Sequence, residues 1–168
     1  MFFNEQINPK DLRITLETLI NIRWIAVIGQ FFTVSFVHYV LKFDFPYFSS
    51  LILIILSALV NIYLEVNKTK FLTISNYYAT LSIFYDLVQL ILLLFMTGGL
   101  SNPFSILIIV PTTISVTYLS RGSSQFIVAC SIIFSTVIAF HHLPIPGPSD
   151  EILSFPRYYE IGIWLSLT

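Results

Sequence analysis

Two apolar runs, residues 77–96 and 104–119, are separated by one short polar interruption, Thr97-Gly98-Gly99-Leu100-Ser101-Asn102-Pro103, and this alternation restricts the fold more than any other feature of the chain. A bilayer offers no water to backbone N–H and C=O groups, so long apolar runs cross it as helices whose hydrogen bonds are internal. The interruption is then a tight loop at the membrane surface. Gly98 and Gly99 permit positive φ and close approach of bare backbone. Asn102 followed by Pro103 has the form of a helix start, a capping side chain and then a proline in the first turn. Two readings stay open on these residues alone. In one the loop is only a good hairpin; in the other, free N–H donors, the Asn102 amide and the Phe104 ring converge at the bilayer edge, where they suit a lipid-soluble aromatic carbonyl compound.

Composition supports a membrane protein. Hydrophobic residues make up 56% of the chain and charged ones 10%, with a mean hydropathy of +0.85, whereas soluble domains are about a quarter charged. Eight Lys and Arg stand against nine Asp and Glu, so no net field recruits nucleic acid. A single cysteine, Cys130, excludes an internal disulfide and any paired-cysteine metal site, and is read as a small packing residue in mid-span. Residues 1–10 lack the features of a cleaved signal peptide, so the first membrane helix is expected to stay attached.

The expected fold class is an all-α membrane protein, a polytopic helical bundle with five complete transmembrane helices and the start of a sixth. Residues 1–23 form a cytoplasmic N-terminal segment containing an interfacial amphipathic helix, capped by Asn8 with Pro9 in its first turn and with Leu12, Leu16, Leu19 and Ile20 on one face. Arg13 and Arg23 would snorkel from it toward headgroups. Residues 24–168 form the transmembrane domain, with spans near 24–41, 48–64, 77–96, 104–119 and 126–140, and an unfinished one at 158–168. Pro111 predicts a kink in the fourth span and one freed carbonyl. Only 11 residues of the sixth span are present, so the chain is expected to continue. A cytoplasmic N-terminus leaves Lys10, Arg13, Arg23, Lys68, Lys70 and Arg121 inside and only Lys42 and Arg157 outside. The Asp44 turn, the glycine loop and the proline-rich loop 143–156, which includes Pro144, Pro146, Gly147, Pro148, Asp150 and Glu151, then face outward.

Few residues inside the spans can carry chemistry. Asp86 precedes Gly98 by 12 residues, roughly 18 Å along a helix and near the bilayer midplane, where an ionisable group is a functional candidate. Gln89 shares its face, so the pair suits hydrogen bonding to another helix; the competing explanation is a structural clamp with Asp86 neutral. Gln30 and His38 are the strongly polar residues of the first span. His38, His141 and His142 fall near the outer surface, which raises a haem or metal reading, but adjacent histidines cannot both face one site on a regular helix, so no metal or haem is expected. The sequon Asn67-Lys68-Thr69 is expected on the cytoplasmic side and is discounted.

The run Gly98-Gly99-Leu100-Ser101-Asn102-Pro103-Phe104 resembles the GGxxNPF heptapeptide of the RegB/PrrB/ActS family of redox-responsive sensor histidine kinases of proteobacteria. Arg23-Trp24-Ile25-Ala26-Val27 with Gly29-Gln30, Tyr85-Asp86 with Gln89-Leu90, and Pro111 with Ile114-Ser115 extend the resemblance to the first, third and fourth spans. The resemblance implies a six-helix sensor domain of the bacterial inner membrane that binds ubiquinone at this loop and reports the state of the quinone pool to a cytoplasmic kinase. Carried over, residues 98–104 become the quinone site, with Asn102 donating to a quinone carbonyl and Phe104 stacking on the ring. It further implies a homodimer and a response regulator reached through a kinase region. The family's phosphoacceptor histidine, ATP-binding domain and redox-active cysteine have no counterpart among these 168 residues. Two rival readings are a quinone-interacting membrane anchor or electron-transfer subunit, which would hold haem, and a small proton-coupled transporter using Asp86, which would show an inverted repeat.

Overall fold

The structure, a computed structural model, describes residues 9–68, 76–144 and 156–167, with side chains described from residue 17 onward apart from that of Arg157. The Asn8 cap, the amphipathic face at Leu12 and Leu16, the side chains of Lys10 and Arg13, Lys70, the Thr69 of the sequon and most of the proline-rich loop lie outside that set. Among the described residues six α-helices follow in order: α1 Pro9–Tyr39, α2 Tyr47–Val66, α3 Asn76–Met96, α4 Ile109–Tyr118, α5 Arg121–Phe140 and α6 Arg157–Leu167. Two short 3₁₀ helices, Gly99–Ser101 and Pro103–Ile108, fill the space between α3 and α4. No strand occurs among the described residues.

Four helical stretches are long and apolar enough to cross a membrane: Glu17–Tyr39, Tyr47–Val66, Asn76–Met96 and Arg121–Phe140. Their exposed faces are apolar, with Phe48 81%, Phe32 67% and Ile133 57% exposed. Small and polar residues turn inward instead. On α2 the buried stripe is Ser50, Ile54, Ser57 and Asn61, and on α5 it is Ser124, Ile127, Ser131, Ser135 and Ile138. This inverted pattern lets helix backbones approach closely in a solvent that does not itself drive apolar side chains together. The chain is a multi-pass membrane protein. Asn61 illustrates the logic: its Nδ2 donates to the Ile20 carbonyl of α1 at 3.1 Å.

Three expectations change. Residues 9–39 form one unbroken helix in place of the expected division near residue 23; no glycine or proline falls between Lys10 and Ile28, so nothing there stops a helix. Arg23 does not snorkel outward. It is 5% exposed, inside the bundle. The kink expected at Pro111 is replaced by a change of helix type, because Pro103–Ile108 is 3₁₀ and places Pro111 in the first turn of α4, where a missing N–H leaves no α-helical bond unmade.

The helices divide into two packed groups. α1 lies against α2, and α3 packs with α4 and α5, while α6 packs on α5 and on the first 3₁₀ turn. The larger core joins Ile83, Leu87, Leu90 and Leu94 of α3 to Leu100, Ile108, Ile127 and Ile138. A smaller one holds Val27 and Val34 of α1 with Phe45, Ile54 and Leu93. Thr112 and Ser131 share a hydrogen bond of 2.8 Å between α4 and α5, and Trp164 Nε1 donates to Thr136 Oγ1 at 2.9 Å between α6 and α5. Asn76, at the start of α3, holds the α4–α5 turn through Ser120 and Ser123.

Candidate functional site

A cavity of about 940 Å³ runs between α1 and α3, from Arg23 and Asp86 at one end to the glycine loop at the other. Its walls are mostly aliphatic, contributed by α1, by α3 and by the 103–114 segment. The size suits a drug-sized or cofactor-sized ligand. Gly98, Ser101, Asn102, Pro103 and Phe104 of the loop line it, together with Asp86 and Gln89, so seven of the nine candidate residues meet in one space. The other two, Gly99 and Leu100, do not line it.

The outer end is built by local interactions. Gly98 has φ of 99° and Gly99 of 58°, both in the left-handed region that L side chains rarely enter. Gly99 has a second reason to be glycine: a Cβ there would come within 2.6 Å of the His142 ring. His142 sits on the loop because Leu143 N donates to the Phe95 carbonyl at 2.9 Å, folding the chain after α5 back over the end of α3. Leu100 is fully buried in the larger core and anchors the loop from below. Asn102 caps the 3₁₀ helix through its Oδ1, which accepts from Phe104 N at 2.9 Å. Its Nδ2 donates to the Thr97 carbonyl at 3.0 Å and to Thr97 Oγ1 at 2.8 Å. Ser101 Oγ donates to Glu160 Oε1 of α6 at 2.6 Å, and His142 Nε2 stands 3.9 Å from the same oxygen. The amide hydrogens of Asn102 are thus engaged within the loop, and the Phe104 ring, 42% exposed, shares the cavity wall at this end with Ser101, His142 and Glu160.

The inner end is built by long-range pairs. Arg23 of α1 donates through NH2 to Asp86 Oδ2 of α3 at 2.7 Å and to Ser82 Oγ at 2.6 Å. The Asp86 side chain is thus clamped to α1 through Arg23. One turn further along α3, Gln89 Nε2 donates to Gln30 Oε1 of α1 at 2.9 Å. Asp86 keeps 30% of its side chain exposed, toward the cavity, while Arg23 is almost wholly covered. Among the described residues, Arg23 Nε and NH1 are buried without a hydrogen-bond partner.

The histidines disperse. His38 stacks on Tyr47 with ring centroids 4.3 Å apart, His142 covers Gly99, and His141 is exposed at the end of α5. Among the described residues, no three His, Cys, Asp or Glu side chains group in a way that could hold a metal ion. Sequence pattern places Arg23 in the wrong environment and gives Glu160 no role at all. The one signal for Glu160 is that it is an acidic residue inside an otherwise apolar sixth segment.

Over 152 residues, 90% of its length, the chain is 34% identical to the sensor histidine kinase RegB of Cereibacter sphaeroides. The chain belongs with the membrane sensor regions of the RegB family. It spans about a third of that relative's length, 33%. No family model matches the chain, and no solved structure matches it significantly. Within this RegB-type region, the loop 98–104 and the Asp86 pair occupy opposite ends of one cavity.

Proposed function

We propose that this chain is the redox-sensing input domain of a two-component sensor histidine kinase, binding ubiquinone in the cavity between α1 and α3 and biasing a cytoplasmic kinase that follows it. The observation that carries the reading is the continuity of an apolar cavity of about 940 Å³ with the loop 98–104. A quinone needs an apolar channel for its isoprenoid tail, flat contact for its ring and entry from the bilayer; this cavity supplies the first, Phe104 the second, and the lipid-facing setting of the helices the third. Asn102 serves as the staple that holds the loop, so its part in binding is to position Phe104.

The same reading includes five spans. Pro103–Tyr118 is shorter than its neighbours, but six residues at about 2.0 Å and ten at about 1.5 Å give roughly 27 Å, close to the hydrocarbon thickness of about 30 Å. With the N-terminus in the cytoplasm, Lys10, Arg13, Lys68, Lys70 and Arg121 lie inside against Lys42 and Arg157 outside. The loop then faces outward in the bacterial inner membrane, and α6 runs back toward the kinase, which acts as a homodimer on a response regulator. Ligand occupancy shifts a pre-existing equilibrium: a difference of about 1.4 kcal/mol in affinity between kinase-on and kinase-off arrangements gives a tenfold bias.

The test is titration of the purified chain in lipid nanodiscs with a short-chain ubiquinone. Phe104→Ala is expected to weaken binding about tenfold through loss of ring contact while leaving the thermal midpoint nearly unchanged. Absence of saturable binding to the unmutated chain would remove the proposal.

A further inference from the structure

α6 meets the cavity through one side chain. Of its described residues Glu160 alone lines the cavity, at the outer end with Ser101, Phe104 and His142. Its Oε1 accepts from Ser101 Oγ at 2.6 Å, a short bond of the charge-assisted kind. The two partners are 59 positions apart, so this bond ties α6 to a loop whose Asn102 bonds stay within five positions. A second tether lies one turn further along α6, where Trp164 Nε1 donates to Thr136 Oγ1 of α5 at 2.9 Å. Neither Trp164 nor Thr136 lines the cavity. The first turn of α6 is therefore fastened to the cavity wall, and the next turn to α5.

The chemistry of the Ser101–Glu160 bond makes it switchable. A serine hydroxyl has one hydrogen, which serves one strong acceptor at a time. Ser101 lines the cavity, so an oxygen on a bound head group can accept that hydrogen in place of Glu160. The displaced carboxylate has another partner in reach. His142 Nε2 stands 3.9 Å from Glu160 Oε1, about 1 Å beyond a good hydrogen bond, and the ring donates there when Nε2 carries its hydrogen.

We infer that the Ser101–Glu160 bond is a latch between the cavity and α6, which an oxygen-bearing ligand opens by taking the Ser101 hydroxyl hydrogen. This rests on the proposed quinone binding and adds the joint through which occupancy reaches α6. In the closed arrangement Ser101 donates to Glu160. In the open one Ser101 donates to the ligand, Glu160 turns to His142, and the first turn of α6 leaves the loop while Trp164 holds the next turn on α5. Carbonyl and hydroxyl oxygens both accept hydrogen bonds, so what the latch reports is occupancy.

The experiment titrates the nanodisc-embedded chain with a short-chain ubiquinone and follows hydrogen exchange of the backbone amides in residues 157–167. Ligand and Glu160 compete for one hydrogen, so the two partners of the bond carry opposite signs. Glu160→Ala is expected to tighten binding roughly tenfold, because a competitor is gone, and Ser101→Ala to weaken it roughly tenfold, because the donor is gone. A bond with only a structural role would weaken binding from both sides or from neither. In the unmutated chain saturating ubiquinone is expected to speed exchange in 157–167 roughly tenfold, the factor that linkage requires in return. An isoprenoid hydrocarbon, which has no oxygen, is expected to leave exchange unchanged. In Glu160→Ala exchange is already fast and ubiquinone adds nothing. If ubiquinone binds but slows exchange in α6 or leaves it unchanged, or if both variants shift affinity in one direction, the latch is overturned while the proposed function stands. Where a variant fails to fold, exchange in the unmutated chain decides. If ubiquinone does not bind the unmutated chain, both fall together.

Discussion

The two ends of the cavity are built on different principles. At the outer end, residues close in sequence satisfy one another: Asn102 closes on Thr97 and Phe104, five and two positions away. At the inner end, the pairs Arg23–Asp86 and Gln30–Gln89 span 63 and 59 positions and join α1 to α3 across the cavity. The outer end is a shape that the chain makes locally. The inner end exists only once two helices are in register. A ligand entering the first meets a finished surface, whereas one entering the second meets polar atoms whose partners sit on separate elements and can be drawn together or pushed apart.

The largest test of this contrast is Asp86→Ala. Removal of one member leaves Arg23 as a buried unpaired charge, and a loss of about 3–5 kcal/mol is expected, read as a large drop in thermal midpoint. Arg23→Met/Asp86→Leu should recover most of it, and a midpoint as low as that of Asp86→Ala would mean that the pair is not the joint between α1 and α3. Next in size is Gly99→Ala, expected to cost about 2–3 kcal/mol, since a methyl group meets the His142 ring at a backbone conformation that also disfavours it. Adding His142→Ala should return the steric part and leave roughly 1 kcal/mol from the positive φ. A smaller effect, about 1–2 kcal/mol, is expected for Asn102→Ala, which removes a cap and two bonds to Thr97. The smallest belongs to Gln89→Leu, at about 0.6 kcal/mol, the usual size of an interhelical hydrogen bond in a membrane. If Gln89→Leu outweighed Asn102→Ala in unfolding measurements, the local end would not be the self-contained one.

The same contrast explains which features are legible in the amino-acid sequence. The loop is legible because its signals are local: two glycines for positive φ, then Asn102 and Pro103 for a cap. The α3 helix is legible to within one residue because a long apolar run between polar flanks has one solution in a bilayer. Asp86 and Gln89 stand out as expensive groups at membrane depth, but their partners do not, since pairing across 59 or more positions leaves no trace in local pattern. Arg23 misleads for a specific reason. Placed just before Trp24, it has the look of an interfacial anchor, and only the opposing Asp86 and Ser82 make the interior a better place for it. The 3₁₀ stretch is hidden as well, because Phe104 to Ile108 carries the same apolar residues an α-helix would use.

That 3₁₀ stretch sets a length. Pro103–Ile108 is six residues long, beyond the three or four common for this helix type, and is fixed at one end by the Asn102 cap and continuous at the other with α4. Rewinding it to α spacing would shorten it by about 3 Å and turn α4 through roughly 120° about its own axis relative to the cap. The axial position and the rotational phase of α4 relative to the loop are thereby set by the 3₁₀ hydrogen-bond ladder of these six residues.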